Sequence, residues 1–245
     1  MTLWTIQPID LYDNLLAQGM LHCDPENKGF WGFEIKEFRT AYDWLVEQMK
    51  SRIGLPLLGV RYPIWAWVLI DGVSKKPDLR RTEFTNYVGE NVIIELEIPD
   101  SDVLLSDEVN WHYVLNDFYL HDVQDSDGKW EEVDAWFDSL PPDDQYSLKR
   151  KSWERIFDKN DSDNDWKFVQ ATFWELKVEQ IRSVRKFIGQ GKHRNTTDAY
   201  IVCSVSVYDM LNGNHCIGLM VCSRGRSGVD YPAGSWKRIC ASHLR

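Results

Sequence analysis

Thr5 and Gln7 in "LWTIQP" stand two residues apart, so a strand would place both on one face. A neutral polar pair of this kind can hydrogen-bond a ribose or a base, or form the wet side of an edge strand. "VQATFWEL" offers a second set. Gln170, Thr172 and Trp174 share one strand face and Glu175 the other, so Glu175 joins them only through a bulge or a strand end. Glu95 and Glu97 also share a face, in "NVIIELEIP", where paired carboxylates are ordinarily solvated. Lys75, Lys76, Arg80 and Arg81 in "KKPDLRR" could hold a phosphate or form a charged surface loop. His112 beside Trp111 reads as helix packing.

Several chemistries lack their residues. Aligning Asp161, Asp163 and Asp165 of "DKNDSDNDW" as calcium ligands puts Trp166 at the required glycine and Thr172 at the bidentate acid, so a solvated loop is expected. Cys203, Cys216, Cys222 and Cys240 lie near His215 and His243, but no C-x-x-C pair occurs, and no metal is expected. Five cysteines, an odd number, point to reduced thiols rather than a disulfide framework. There is no G-x-S-x-G, no phosphate-binding loop and no H-E-x-x-H. The Gly189–Gly191 pair lacks the third glycine of a dinucleotide fingerprint.

The chain that must position these groups has 245 residues, 43% of them hydrophobic, with 12 Trp, 10 Tyr and 10 Phe. Residues 100–165 carry 19 Asp and Glu against 6 Lys and Arg, a balance of −13; the whole chain is −10, leaving about +3 elsewhere. Phosphate contacts need a positive surface, so nucleic acid is a poor partner. The longest apolar run, "IWAWVLI", is too short for a membrane span, and the N-terminus has no signal core. The expectation is a cytoplasmic protein without a membrane partner. The oligomeric state is not legible.

Residues 3–7 read as a strand, Pro8 as the start of a helix bearing Ile9, Tyr12, Leu15 and Leu16 on one face, and Gly19 as its stop. A second helix is expected over 34–53, striped by Ile35, Phe38, Tyr42, Leu45, Val46 and Met49. Strands follow at 61–70 and 91–99, then a helix in "SDEVNWHYVLNDFYL", helices at 129–139 and 142–157, and a strand at 167–177. "YIVCSVSVY" and "CIGLMVCS" around "NGN" read as a C-terminal hairpin in a basic segment, 7 Lys and Arg against 3 Asp from residue 189.

Residues 3–188 resemble an uncharacterised bacterial family of domains of unknown function. "LWTIQP", "AYDWLVEQM", "YPIWAW", "IELEIPDSDVLLSD", "WHYVLN", "VQATFWEL" and Phe187 match in order. This divides the chain into a family domain, 1–188, and a Cys-containing extension, 189–245. More distantly, "LWTIQPIDLYDNLLAQGML" is similar to the opening of small ADP-ribosyltransferase-like domains, including the DNA-modifying toxin type. There the first strand turns a His and then a Thr or Ser toward the NAD ribose, and a late Gln-Ala-Glu strand presents the catalytic glutamate. Thr5 and Gln7 occupy the first two positions here, and Gln170, Ala171 and Thr172 the last three. Threonine cannot supply the negative charge that a ribosyl cation-like transition state needs, which leaves Glu175 as the catalytic candidate.

The resemblance implies an α+β fold with a mixed or split sheet and flanking helices. It also implies NAD as a substrate held by Thr5, Gln7, Gln170 and Thr172, and a nucleotide-recognising domain acting as an NAD-dependent transferase. The alternative is a non-enzymatic module that binds a nucleotide or small molecule after losing the glutamate.

Overall fold

The computed structural model describes residues 1–23, 36–81, 84, 87–121, 129–158 and 166–190. The C-terminal hairpin, four of the five cysteines and most of "DKNDSDNDW" lie outside the described residues.

The described chain is α+β. Its strands are β1 (Thr2–Pro8), β2 (Met20–His22), β3 (Ile64–Leu69), β4 (Val88–Glu97), β5 (Leu104–Asp107), β6 (Val169–Phe173), β7 (Glu175–Lys177) and β8 (Ile181–Gln190). Its helices are α1 (Ile9–Gln18), α2 (Lys36–Arg52), α3 (Glu108–Leu115), α4 (Trp130–Asp138) and α5 (Pro142–Trp153). Six strands form one sheet in the order β5-β6-β3-β1-β4-β8, and β2 and β7 form a separate pair. Every described pairing is antiparallel, so the sheet is not mixed.

β1 lies between β3 and β4, at the centre of the sheet. Both of its edges are therefore paired, which removes the edge-strand reading of Thr5 and Gln7, and residues 3–7 are buried on both faces. On one face Leu3, Val92, Ile94, Leu96, Ala66 and Phe173 pack with Leu15 of α1 and Leu176 of β7. The other face carries two clusters. Trp65 and Leu104 pack with Tyr42 and Leu45 of α2, Trp111 of α3 and Trp153 of α5. Ile6, Trp67 and Ile93 pack with Ile70, Phe84 and Tyr87. Trp44, Trp65, Trp111 and Trp153 are core: Trp65 and Trp111 lie 5.2 Å apart, and Trp44 and Trp153 5.4 Å.

Local chemistry explains most boundaries. Gly19 ends α1 at φ 79°, its N–H donating to Leu15 O at 2.8 Å, a left-handed stop that glycine makes without strain. Leu11 and Leu15 are the buried residues of α1, whereas Leu16 is exposed, one position off the expected stripe. Asp107 caps α3, its Oδ1 accepting from Asn110 N–H at 2.7 Å. The four residues before the helix form β5, a strand too short for its alternation to stand out. The expected strand at 167–177 breaks at Trp174, whose Nε1 donates to Gly54 O at 2.9 Å. β8 runs through residue 188, so the proposed domain boundary falls inside a strand. A Cβ on Gly189 would meet Tyr87 O at 2.2 Å, so only glycine fits there.

Candidate functional site

Register decides which polar groups meet. Trp4 pairs with Trp67, Trp67 with Gln170, and Gln170 with Ser106. Directly opposed residues share a face, so Ser106, Gln170, Trp67 and Trp4 form one row across four strands, about 14 Å at about 4.8 Å per strand. Glu95 and Ser183 extend it, Trp4 pairing with Glu95 and Glu95 with Ser183. Trp65 and Thr172, also paired, form the next row. Alternation along β1 then puts Thr5 and Gln7 on the opposite face from Gln170 and Thr172. The four residues expected to hold one ligand are not brought together.

Thr5 and Gln7 are both buried. Gln7 Nε2 donates to Thr5 Oγ1 at 2.6 Å, and Thr5 Oγ1 donates to Trp65 O at 2.9 Å. This chain satisfies the pair internally apart from Gln7 Oε1, which has no partner among the described residues. Thr172, fully buried, donates Oγ1 to Leu104 O at 3.3 Å. Glu175 opens β7 on the small sheet, paired with His22 of β2 and not on the strand that carries Gln170. Its Oε1 lies 2.6 Å from Lys177 Nζ, and its Oε2 is buried without a hydrogen-bond partner. That carboxylate raises the Lys177 ammonium above its usual range.

The long row holds further unsatisfied atoms. Ser106 Oγ and Trp4 Nε1 within it, and Trp65 Nε1 beside it, are buried with no hydrogen-bond partner among the described residues. Leaving a buried donor or acceptor unmet costs roughly 1–3 kcal/mol each, so three such atoms on one face are costly as mere core. Two flat indoles, an amide, a hydroxyl and two free N–H donors suit a planar heterocycle with polar edges. Glu95 closes the row, half-buried, with Oε2 accepting from Ser183 Oγ at 2.9 Å.

The family described as "Domain of unknown function (DUF3841)" matches residues 2–182, from β1 into the first residues of β8. The chain belongs to the DUF3841 family. No curated protein and no solved structure matches it.

The remaining polar groups of this DUF3841 domain have structural work. Asp107 follows Ser106 at the head of α3. Burial pushes its carboxyl up, opposed by the backbone N–H groups of Asn110 and Val109. His112 Nδ1 lies 2.9 Å from Glu108 O, one turn back on the same helix. In the "KKPDLRR" loop, Lys75 and Arg81 both pair with Asp71, and Arg80 with Asp78. The two guanidinium groups and the ammonium hold the carboxyls of Asp71 and Asp78 down to about 2. Three of the four cations expected for a phosphate are thus matched to carboxylates. Among the described residues no helix is long and apolar enough to cross a membrane.

Sequence reading missed Ser106, Trp4 and Trp67. Each is an ordinary residue of a short or apolar strand, and only cross-strand register shows that they share a row with Gln170.

Proposed function

We propose that this DUF3841 domain is a nucleotide-recognising binding module that takes the base or nicotinamide ring on the Ser106–Gln170–Trp67–Trp4 row. One observation carries the reading: Ser106 Oγ and Trp4 Nε1 are buried in that row without partners. A base edge supplies both an acceptor and a donor, and the ring would stack on Trp4, because Trp67 already packs edge-to-face against Phe84. The reading keeps the ADP-ribosyltransferase-like expectation for the fold and NAD as the first ligand to try. It moves the ligand away from Thr5 and Gln7, whose polar groups largely engage each other. It favours binding over catalysis because Glu175, the expected carboxylate, sits on the other sheet and is matched to Lys177.

A second reading, an NAD-dependent transferase, draws on Glu95. That carboxylate lies opposite Trp4 in the same row, where it could face a ribose beyond a stacked ring and stabilise developing positive charge.

Ligand-observed proton NMR of NAD at about millimolar concentration, the weak end of specific binding, separates the two. Line broadening that is lost in Gln170→Ala, with no free nicotinamide over hours, is the result expected of a binding module. Free nicotinamide with ADP-ribose, the ribosyl carbon having been taken by water, that disappears in Glu95→Gln would establish cleavage of the nicotinamide–ribose bond, the bond that a transferase must break. Unbroadened NAD and adenosine spectra would refute nucleotide recognition.

A further inference from the structure

The Ser106–Gln170–Trp67–Trp4 row has one closed end and one open end. Ser106 and Gln170 are buried on β5 and β6, and Trp67 packs with Ile70, Phe84 and Tyr87. Beyond Trp4 the row runs on through half-buried Glu95 of β4 to exposed Ser183 of β8, the edge strand. A ligand whose ring reaches Trp4 therefore leaves its remaining atoms at Glu95 and Ser183.

One cation stands at that end. Ile6 pairs with Ile93, and Ile93 with Arg185. Arg185 therefore shares the face of the row, two residues along β8 from Ser183. β8 is two strands out from β1, and two residues of offset along a strand bring the Trp4–Arg185 backbone separation to about 12 Å. A ribose and the arginine side chain share that span. Phe187, the next residue of this face, is already closed over by Tyr87, their ring centres 6.0 Å apart, so the opening is bounded by Glu95, Ser183 and Arg185.

The charges at the opening are divided between two tasks. Arg185 is exposed, and its guanidinium pairs with no carboxylate among the described residues. The carboxylate beside it, Glu95, already takes the Ser183 hydroxyl at 2.9 Å. β8 holds no Asp or Glu, and its other cations, Arg182 and Lys186, fall on the opposite face by alternation. In a chain of net charge −10 a phosphate needs a local cation to be accepted. A guanidinium fork matches phosphate oxygens, and a carboxylate next to the ring is a group that takes ribose hydroxyls.

We propose that the ligand of the row is a nucleotide bearing a phosphate on its ribose, and that Arg185 holds this phosphate at the open, β8 end. The inference rests on the reading of the row as a base site. It adds the class of ligand, a phosphorylated nucleotide rather than a nucleoside or a free base, and the residue that tells them apart.

Titration of the full chain with adenosine and with adenosine 5′-monophosphate, followed by ligand-observed proton NMR, tests this. The expected result is roughly ten-fold tighter binding of the monophosphate, the advantage of one charge-assisted contact. Arg185→Gln, an exposed substitution that should leave circular dichroism unchanged, should remove the advantage and bring the two affinities together. Arg185→Lys should restore part of it, and about 0.5 M NaCl should shrink it in the wild type. Adenosine binding with no monophosphate advantage overturns the Arg185 assignment alone and leaves base recognition standing; it is the result expected of an arginine that only guards a sheet edge. An advantage that survives Arg185→Gln overturns the assignment too. No binding of either compound overturns base recognition and the assignment together.

Discussion

Ser106→Ala should make the protein more stable. Ser106 lies on β5 opposite Gln170, 1% exposed, with no hydrogen-bond partner for Oγ among the described residues. An unmet buried hydroxyl costs roughly 1–3 kcal/mol. Alanine removes the hydroxyl and leaves a void of about one oxygen atom, which returns a few tenths of a kcal/mol of that gain. The net expectation is about 1 kcal/mol of added stability, or roughly 2–4 °C in Tm for a chain of this size. Urea unfolding checks it: the midpoint should rise with the slope m unchanged. The same substitution should weaken nucleotide binding about five-fold, because a lost hydrogen bond to a ligand is worth about 1 kcal/mol. A midpoint that falls would mean the hydroxyl is satisfied in the folded state, and the argument from the unsatisfied row would fail with it.

Three further outcomes follow from the geometry. Gly189→Ala drives a Cβ to 2.2 Å from Tyr87 O and should cost roughly 1–3 kcal/mol, the range for forced overpacking, read as a lower Tm by circular dichroism. Asp107 has a carboxyl raised by burial, so the folded state binds its proton more tightly than the unfolded chain does. The native state therefore gains most at acid pH and loses that advantage as pH rises from the ordinary carboxylate value through the raised one. Asp107→Asn keeps a capping side chain and should flatten this part of the stability-versus-pH curve in urea melts. Glu175→Gln removes a partly exposed pair with Lys177 and should cost under about 1 kcal/mol without changing NAD line widths. A loss of NAD binding in that variant would restore Glu175 to the site.

The elements of this fold were largely legible and their arrangement was not. The alternation of Val92, Ile94 and Leu96 against Ile93, Glu95 and Glu97 predicted the two faces of β4 correctly. The α2 stripe of Phe38, Tyr42, Leu45 and Met49 is buried as its spacing requires. Gly19 and Asp107 announce the helix ends they form. What local pattern cannot carry is neighbour order. "TIQ" looks half-wet because Thr5 and Gln7 are polar, yet β1 is central and both are buried, their donors taken up by each other and by Trp65 O. Thr5 with Gln7, and Gln170 with Thr172, each share a face within their own strand. That the two pairs lie on opposite faces follows only from Trp4 opposing Trp67 and Trp67 opposing Gln170. "VQATFWELK" likewise gives no local sign that Trp174 will turn away to Gly54 and send Glu175 to a different sheet.

The strand order has a consequence for how a ribosome must deliver this chain. β1, β3 and β4 can join as soon as residue 97 has emerged, because they are neighbours in the sheet. β5 emerges next but pairs only with β6, which also supplies the outer neighbour of β3. Until β6 is made, β3 presents a bare edge and β5 has nothing to add to, while α3, α4 and α5 have already been synthesised. Bare apolar edges in nascent chains invite mispairing and chaperone capture. β6 is thus the keystone, inserted late between two waiting strands. Ribosome stalling upstream of residue 169 would leave a chain rich in formed helices whose sheet cannot close.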